Sequence, residues 1–220
     1  MDDPSAFDVI VIVARPAAGK SEVIDYLKNI NPIERLERFH IRKFEEIDDF
    51  PMLWTWFEED HLLRDMGYPG LHTDQNGYLL ENYLWNLLIE RLCLEYKKKI
   101  SEEKDYHHKY TTIIEFSRGK EHGGYQSAFS HLSSDVLTHM GILYLNVSWA
   151  ESLRKNRKRF NPERPGSILE HSLPDEKMER LYKEDDWASL ISNSPNYLLI
   201  NGIQVPYTVM ENEDDVTTGR

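Results

Sequence analysis

Residues 7–28 read FDVIVIV, then ARPAAGKS, then EVIDYLK, and this stretch decides the fold of the chain. The first seven residues form a short β-branched apolar run, which is typical of a buried strand in a parallel sheet. The last seven place Val23, Ile24 and Leu27 at helical spacing, which predicts an amphipathic helix. The sequence therefore predicts a strand, a tight loop and a helix in immediate succession.

The loop between them matches the Walker A phosphate-binding pattern G-x-x-x-x-G-K-[ST], except that an alanine replaces the first glycine. Such a loop points several backbone N–H groups, and the positive end of a helix, at a phosphate chain. Gly19 would let the backbone approach the phosphates, Lys20 would contact the β- and γ-phosphates, and Ser21 would ligate Mg²⁺. We expect ATP and Mg²⁺ as cofactors, with the nucleotide on Ala14, Arg15, Pro16, Ala17, Ala18, Gly19, Lys20 and Ser21.

The position of Pro16 gives the loop a more specific likeness. It resembles the G-x-P-G-x-G-K loop of nucleoside monophosphate kinases and their relatives, with Ala14 and Ala17 in place of both early glycines. The chain is thus similar to the P-loop small-molecule kinases, which include nucleotide, nucleoside, shikimate and gluconate kinases. The resemblance implies a three-layer α/β sandwich around a five-stranded parallel sheet, and transfer of the γ-phosphoryl group of ATP.

Acidic residues follow two of the predicted strands. Asp48 and Asp49 come after a predicted strand at residues 38–44, and Glu115 ends a second one at residues 110–115. Ligands of open parallel sheets bind beyond the carboxyl ends of the strands. Asp48 and Asp49 are therefore candidates for substrate binding, although a solvated acidic loop is the alternative. Glu115 is the expected Walker B-type carboxylate near Mg²⁺, and any of the three could be the general base.

Arg118 follows Glu115 by three residues. This order resembles the acid-then-arginine turn of nucleotide and deoxynucleoside kinases, in which the arginine binds phosphate. The resemblance implies that Arg118 contacts the substrate. The alternative is a local ion pair between Glu115 and Arg118.

A basic segment lies between Leu153 and Arg164, in a chain that is otherwise strongly acidic. Its position resembles the mobile lid of the same kinases. We expect Arg154, Arg157 and Arg159 to stabilise the transferring phosphoryl group. Arg154, Arg157 and Lys158 would share one helix face, since they are three and four residues apart. The alternative is a solvated basic face.

The rest of the chain fits a single domain at residues 1–210. A helical insertion at about residues 45–77 would lie on the substrate side, and the lid would span about residues 151–171. A fifth strand is predicted at residues 196–202, followed by a loop with Ile203, Val205 and Pro206 that could pack on the nucleotide base. The acidic residues 211–220 are expected to form a disordered tail.

Composition restricts the partners of the protein. The formal net charge of −12 disfavours a nucleic-acid partner, whose phosphates would be repelled. No apolar run approaches membrane-spanning length, and the only cysteine, Cys93, has no partner for an internal disulfide. We therefore expect no membrane partner, a small-molecule substrate and a cytoplasmic location, while the sequence leaves the oligomeric state open.

The predicted function is that of an ATP-dependent kinase acting on a small metabolite, either a nucleoside or a nucleotide. Carboxylates on the substrate side favour a neutral acceptor, and the aromatic residues near position 54 favour a nucleoside or nucleotide over a polyol. The alternative is a nucleotide-binding sensor, or a generic ATPase without kinase activity. A signalling GTPase is disfavoured because the sequence contains no N-K-x-D motif for guanine.

Overall fold

The computed structural model describes residues 6–159, 172–192 and 194–214. The strands in these ranges are β1 (Val9–Ala14), β2 (Lys43–Asp48), β3 (Tyr110–Phe116), β4 (Met140–Asn146), β5 (Tyr197–Ile200) and β6 (Ile203–Glu211). The helices are α1 (Lys20–Asn29), α2 (Pro32–Phe39), α3 (Asp49–Asp65), α4 (Tyr83–Glu102), α5 (Tyr106–Lys109), α6 (Gly124–Ser130), α7 (Ser134–Leu137), α8 (Trp149–Arg159), α9 (Asp175–Tyr182) and α10 (Trp187–Ile191). A 3₁₀ turn covers Lys120–His122.

The strands form one sheet in the order β2-β3-β1-β4-β6-β5. The first five of these strands are parallel, and β5 pairs antiparallel with β6 at the edge. The predicted α/β class is thus confirmed, but the described residues form six strands rather than five. Asn201 and Gly202 both have positive φ, of 49° and 82°, and they close a tight hairpin between β5 and β6.

That hairpin corrects two predictions. The strand expected at residues 196–202 is the antiparallel edge strand, and the fifth parallel strand is β6. The prediction of a loop from Ile203 to Pro206 is wrong, because these residues lie within β6. Their backbone extends the sheet and does not form a loop beyond its carboxyl edge.

Helices lie on both faces of the sheet, as the burial of both faces of β1 requires. Val9, Val11 and Val13 pack with α4, α6 and α10 on one face. Ile10 and Ile12 pack with α1 on the other face. The arrangement is compatible with a three-layer sandwich. Within the described ranges, every helix is too short or too polar to cross a membrane.

Two of the predicted domain limits need correction, and a third falls partly outside the described residues. Residues 45–48 of the expected helical insertion belong to β2, and α3 begins only at Asp49. Of the expected lid, residues 151–159 lie in α8, and residues 160–171 lie outside the described residues. Glu211 ends β6 and the side chain of Asn212 is fully buried, so residues 211–214 are not a disordered tail. Residues 215–220 lie outside the described residues.

The carboxyl ends of the parallel strands meet at one edge of the sheet. The register places Asp48 at the end of β2 beside Glu115 in β3, and Val13 near the end of β1 beside Phe116. The loop after β1 therefore lies next to the acidic residues that follow the neighbouring strands. This edge is where ligands bind in open α/β sheets.

Candidate phosphate-binding site

The loop between β1 and α1 has the geometry of an anion-binding turn. Ala18 N–H donates to the carbonyl of Arg15 at 3.3 Å, and Gly19, with φ of 104°, is the N-terminal cap of α1. The first N–H groups of a helix have no acceptor within the helix, and they carry its partial positive charge. A phosphate at this end would be bound by backbone donors without any further charge.

Neighbouring elements hold the loop in this shape. Arg15 forms an ion pair with Asp185 at 2.8 Å and also donates to the carbonyl of Val147 at 3.1 Å. Ser152 of α8 donates to the carbonyl of Pro16 at 2.8 Å. Asn212 donates to the carbonyl of Ala18 at the same distance. Arg15 thus supports the loop from outside, where the sequence predicts direct contact with nucleotide.

The two alanines that replace glycines differ in their backbone conformation. Ala14 is the last residue of β1, is fully buried and is not among the described residues with positive φ. Ala17 has a φ of 57°, in the left-handed region that costs an alanine about 1 kcal/mol. The strain therefore lies at Ala17, whereas the sequence suggests Ala14.

Restoring each glycine should change stability in opposite directions. We expect Ala17→Gly to be neutral or to stabilise by up to about 0.5 kcal/mol, because relief of strain exceeds the added entropy of the unfolded chain. Ala14→Gly should destabilise by about 1 kcal/mol, since it loosens a buried strand and removes a packed methyl group. Urea unfolding measures both free energies of unfolding, and a stabilising Ala14→Gly would contradict the assignment of strain.

A small pocket of about 210 Å³ opens above the loop. One side is formed by the loop and the first turn of α1, and the other side is formed by α8. Its lining residues are Ala17, Gly19, Lys20, Ser21, Glu22, Lys155, Lys158 and Arg159. Four of these side chains are cationic, so the pocket combines free helix N–H groups with a concentrated positive charge.

The cations of α8 that line the pocket differ from those that the sequence predicts. Arg154 pairs with Glu151 at 2.6 Å, and Arg157 pairs with Asp175 at 2.6 Å, both at the surface. Lys155, Lys158 and Arg159 line the pocket, at spacings of three and four residues. Arg159 thus lies in the pocket, and its predicted role stays a prediction. The face of α8 that lines the pocket is offset by about one residue from the predicted face, and the sequence prediction did not include Lys155. Helical spacing identifies residues that share a face, but it does not say which face points inward.

This difference predicts unequal roles for neighbouring cations. We expect Lys158→Ala to weaken ATP binding about 10-fold, because a charge-assisted contact to phosphate is lost. Arg154→Ala, one turn earlier and paired with Glu151, should change affinity less than about twofold. Isothermal titration with Mg-ATP measures both, and the reverse order would contradict the orientation of α8.

The carboxylates of Asp48 and Glu115 both interact electrostatically with Lys20 of the pocket. Burial, followed by the charges of Glu115 and Asp49, raises the pKa of Asp48 to about 7. Burial also raises the pKa of Glu115, while the ammonium group of Lys20 opposes the shift. The same ammonium group donates to the hydroxyl of Ser117 at 2.9 Å. Near neutral pH, Asp48 is therefore close to its own pKa, the range in which a carboxylate works best as a general base.

The raised pKa predicts that stability falls as the pH increases. Asp48 ionises near pH 4 in the unfolded chain but only near pH 7 in the folded one, so between about pH 4 and 7 the unfolded state loses its proton first. We expect Asp48→Asn to stabilise by about 2 kcal/mol at pH 8 and by less than about 0.5 kcal/mol at pH 4. Asparagine keeps the cap that Asp48 forms with the N–H of Phe50. Thermal unfolding at both pH values measures this, with exposed Asp25→Asn as the control; equal shifts would contradict it.

Asp49 and Arg118 are withdrawn from the site, which corrects their predicted role in substrate binding. Their side chains form a buried ion pair of 2.5 Å, and Arg118 is 2% exposed. Arg118 also donates to the carbonyl of Trp85 at 3.1 Å and lies between the rings of Trp85 and Phe116. The arginine pairs with Asp49 and not with Glu115, and both residues join α3, α4 and β3 in the core.

The residues predicted to hold Mg²⁺ offer oxygen donors only. Ser21 lines the cationic pocket, and Glu115 lies near the end of β3, beside Asp48 at the end of β2. The described residues contain no group of three or more His, Cys, Asp or Glu side chains that could hold a metal alone. A hydroxyl with one or two carboxylates fits Mg²⁺, which usually completes its shell with water and substrate phosphates.

Comparison with known proteins does not assign the chain to a family. No protein-family model matches the chain, and no curated protein matches it.

Proposed function

We propose that this chain is a P-loop phosphotransferase that binds Mg-ATP and transfers the γ-phosphoryl group to a hydroxyl of a small molecule. One observation carries the proposal: the cationic pocket at the N-terminus of α1 adjoins, through Lys20, two carboxylates whose pKa values are raised by burial, that of Asp48 to about 7. A binding site for phosphate and a base for a hydroxyl thus lie side by side, at the edge of the sheet where ligands bind.

The residues divide the work of phosphoryl transfer between them. The backbone donors at the start of α1, together with Lys20, bind the β- and γ-phosphates. Lys158 and Arg159 approach from α8 and neutralise charge on the transferring group. Mg²⁺, when bound through the phosphates, Ser21 and Glu115, would further neutralise the phosphate charge. Asp48 or Glu115 accepts the proton of the attacking hydroxyl, and the ammonium group of Lys20 favours the charged form of both carboxylates.

The charges on the acceptor side favour a neutral substrate. Asp48 and Glu115 would repel a phosphate, and the pairing with Asp49 keeps Arg118 from contacting one. Phe50 comes two residues after Asp48, its ring centroid lies 5.9 Å from that of Trp54, and both rings are only partly buried. An aromatic pair beside the base suits a planar ring, so a nucleoside fits better than a nucleoside monophosphate or a polyol.

The test is ATP consumption with Mg²⁺, measured against separate panels of nucleosides, nucleoside monophosphates and small hydroxylated metabolites. We expect stimulation by nucleosides only, and we expect Glu115→Gln or Asp48→Asn to reduce it while leaving ATP binding in place. ATP binding without stimulation by any panel would favour the alternative, a nucleotide sensor. Absence of ATP binding would overturn the proposal.

A further inference from the structure

A large apolar groove lies on the α1 side of the sheet, and Glu22 is the one residue that it shares with the described lining of the cationic pocket. It has a volume of about 1020 Å³ and runs between α1 and β6, with β4 as its floor. Its apolar lining comes from Phe7, Ile10, Val23, Tyr26, Leu27, Phe39, Ile41, Leu143, Pro206 and Met210. The proposed phosphotransfer uses none of these side chains.

The groove continues onto a part of the sheet that none of the described helices covers. Pro206 and Met210 of β6 line the groove. Val205 lies on the other face of the sheet and packs into the core with α4, α6 and α10. The antiparallel register pairs Tyr197 with Pro206 and Leu199 with Gln204, so both β5 residues lie on the groove side. Tyr197 is 48% exposed and Leu199 is 73% exposed. An apolar face three strands wide therefore faces outward next to α1.

The dimensions of this face match one further helix. Neighbouring strands lie about 4.8 Å apart, so β4, β6 and β5 span about 10 Å, which is the diameter of a helix with its side chains. Gly141 in β4 gives no extra room for it, because a Cβ at Gly141 would already lie 3.6 Å from the ring of Phe7. In α/β proteins the natural cover for such a face is a helix that lies parallel to its neighbour in the layer.

The charges around the groove indicate what kind of helix it would be. Glu22 and Asp25 of α1 lie along its rim, and none of the described residues that line it is a lysine or an arginine. The side chain of Asp25 is 68% exposed; Lys28 lies 3.7 Å from it but is closer to Glu46, at 2.9 Å. A second copy of this chain, with its own net charge of −12, would bring like charges together. A cationic partner is favoured instead.

From these observations we propose that the groove binds an amphipathic α-helix of a partner protein. The apolar stripe of that helix packs on β4, β6 and β5, and lysine or arginine residues on its flank face Glu22 and Asp25. This is the helix-in-groove mode of recognition, with the sheet as the floor and α1 as one wall. The interaction requires no nucleotide, so it stands or falls independently of phosphotransferase activity.

The test uses two fluorescent 18-residue helical peptides with the same leucine stripe, one with lysine flanks and one with glutamate flanks. We expect the full chain, without ATP, to bind the lysine peptide at least 10-fold more tightly in a fluorescence anisotropy titration. Thr208→Glu places a charge on the exposed floor and should weaken this binding at least 10-fold. Asp25→Lys should reduce the preference for lysine flanks at least fivefold. Leu94→Glu, at an exposed leucine of α4, is the matched control and should change nothing.

Three results would overturn the proposal. The first is no binding of the lysine peptide below 1 mM, or binding that both groove variants leave unchanged. The second is self-association in sedimentation that Thr208→Glu abolishes, which would assign the groove to a second copy. The third is saturable binding of palmitate that excludes the peptide, which would assign the groove to a lipid chain. Thermal unfolding confirms that each variant is folded before it is titrated.

Discussion

Lys20→Ala is expected to lower ATP-dependent turnover by at least 100-fold, the loss that follows removal of one preorganised donor from a phosphoryl or oxyanion site. Lys20 is the first residue of α1, lines the phosphate pocket and touches Ser117 at 2.9 Å. In the proposed reaction Lys20 binds the phosphates, and its charge also opposes the burial that raises the pKa of Glu115. Its removal therefore affects phosphate binding and the protonation state of the base together.

The same helix supplies a matched control. Lys28 lies eight residues further on and pairs at the surface with Glu46 at 2.9 Å. We expect Lys28→Ala to leave turnover unchanged and to cost no more than about 1 kcal/mol of stability. Initial rates of ADP release and Mg-ATP titrations should be measured for both variants, after thermal unfolding shows that both are folded. Full turnover in Lys20→Ala would contradict the assignment of the pocket to phosphate.

The sequence predicts the N-terminal strand, loop and helix well because their residues are determined locally. Val9 to Val13 are apolar and β-branched, and the structure has β1 and α1 within two residues of the predicted limits. The strand at β3 is similarly apolar and ends one residue beyond its predicted limit. Buried central strands need apolar side chains on both faces, so their sequences carry a strong signal.

The second strand was misplaced because it lies at the edge of the sheet. The sequence predicts it at residues 38–44, but β2 is Lys43–Asp48 and contains Glu45 and Glu46. Charged residues are tolerated, and even favoured, in an edge strand. Lys99 and Lys28 pair with Glu45 and Glu46, respectively, and these long-range contacts are not visible in the local pattern.

The segment before β2 forms the helix α2. Asn31-Pro32 interrupts the first helix in the sequence, but the structure shows that it starts α2. The side chain of Asn31 accepts the N–H of Ile33 at 2.8 Å, and Pro32 occupies the first helical position. Asparagine as a cap and proline at the first position are both helix-start signals, so this element could have been predicted.

The candidate site was predictable in its residue types but not in its pairings. The sequence places Asp48, Asp49, Glu115 and Arg118 near one edge of the sheet, which the fold bears out. It cannot show which acid meets the arginine, because that depends on how α3 and α4 pack. The structure pairs Asp49 with Arg118 in the core and leaves Asp48 beside Glu115. Arg118 therefore has a structural role that mutagenesis can separate from substrate binding.

Arg118→Met is expected to destabilise the protein by about 3–5 kcal/mol, because it leaves the carboxylate of Asp49 buried without its partner. Asp49→Asn in the same background should recover at least about 1 kcal/mol, since the uncompensated charge is then removed. Urea unfolding of the wild type, both single variants and the double variant closes the cycle. Arg38→Met is the surface control, because Arg38 pairs with Glu34 in an exposed contact and should cost no more than about 1 kcal/mol.

Kinetics then distinguish a core residue from a substrate ligand. If Arg118 is structural, Arg118→Met lowers the free energy of unfolding and leaves the KM for the acceptor unchanged in the fraction that stays folded. If Arg118 binds the acceptor, the same variant unfolds at the wild-type urea concentration and raises that KM. The second result would restore the interpretation that the sequence favours, and it would require the ion pair with Asp49 to open when substrate binds. The burial of both side chains and the contacts of Arg118 with Trp85 and Phe116 favour the first.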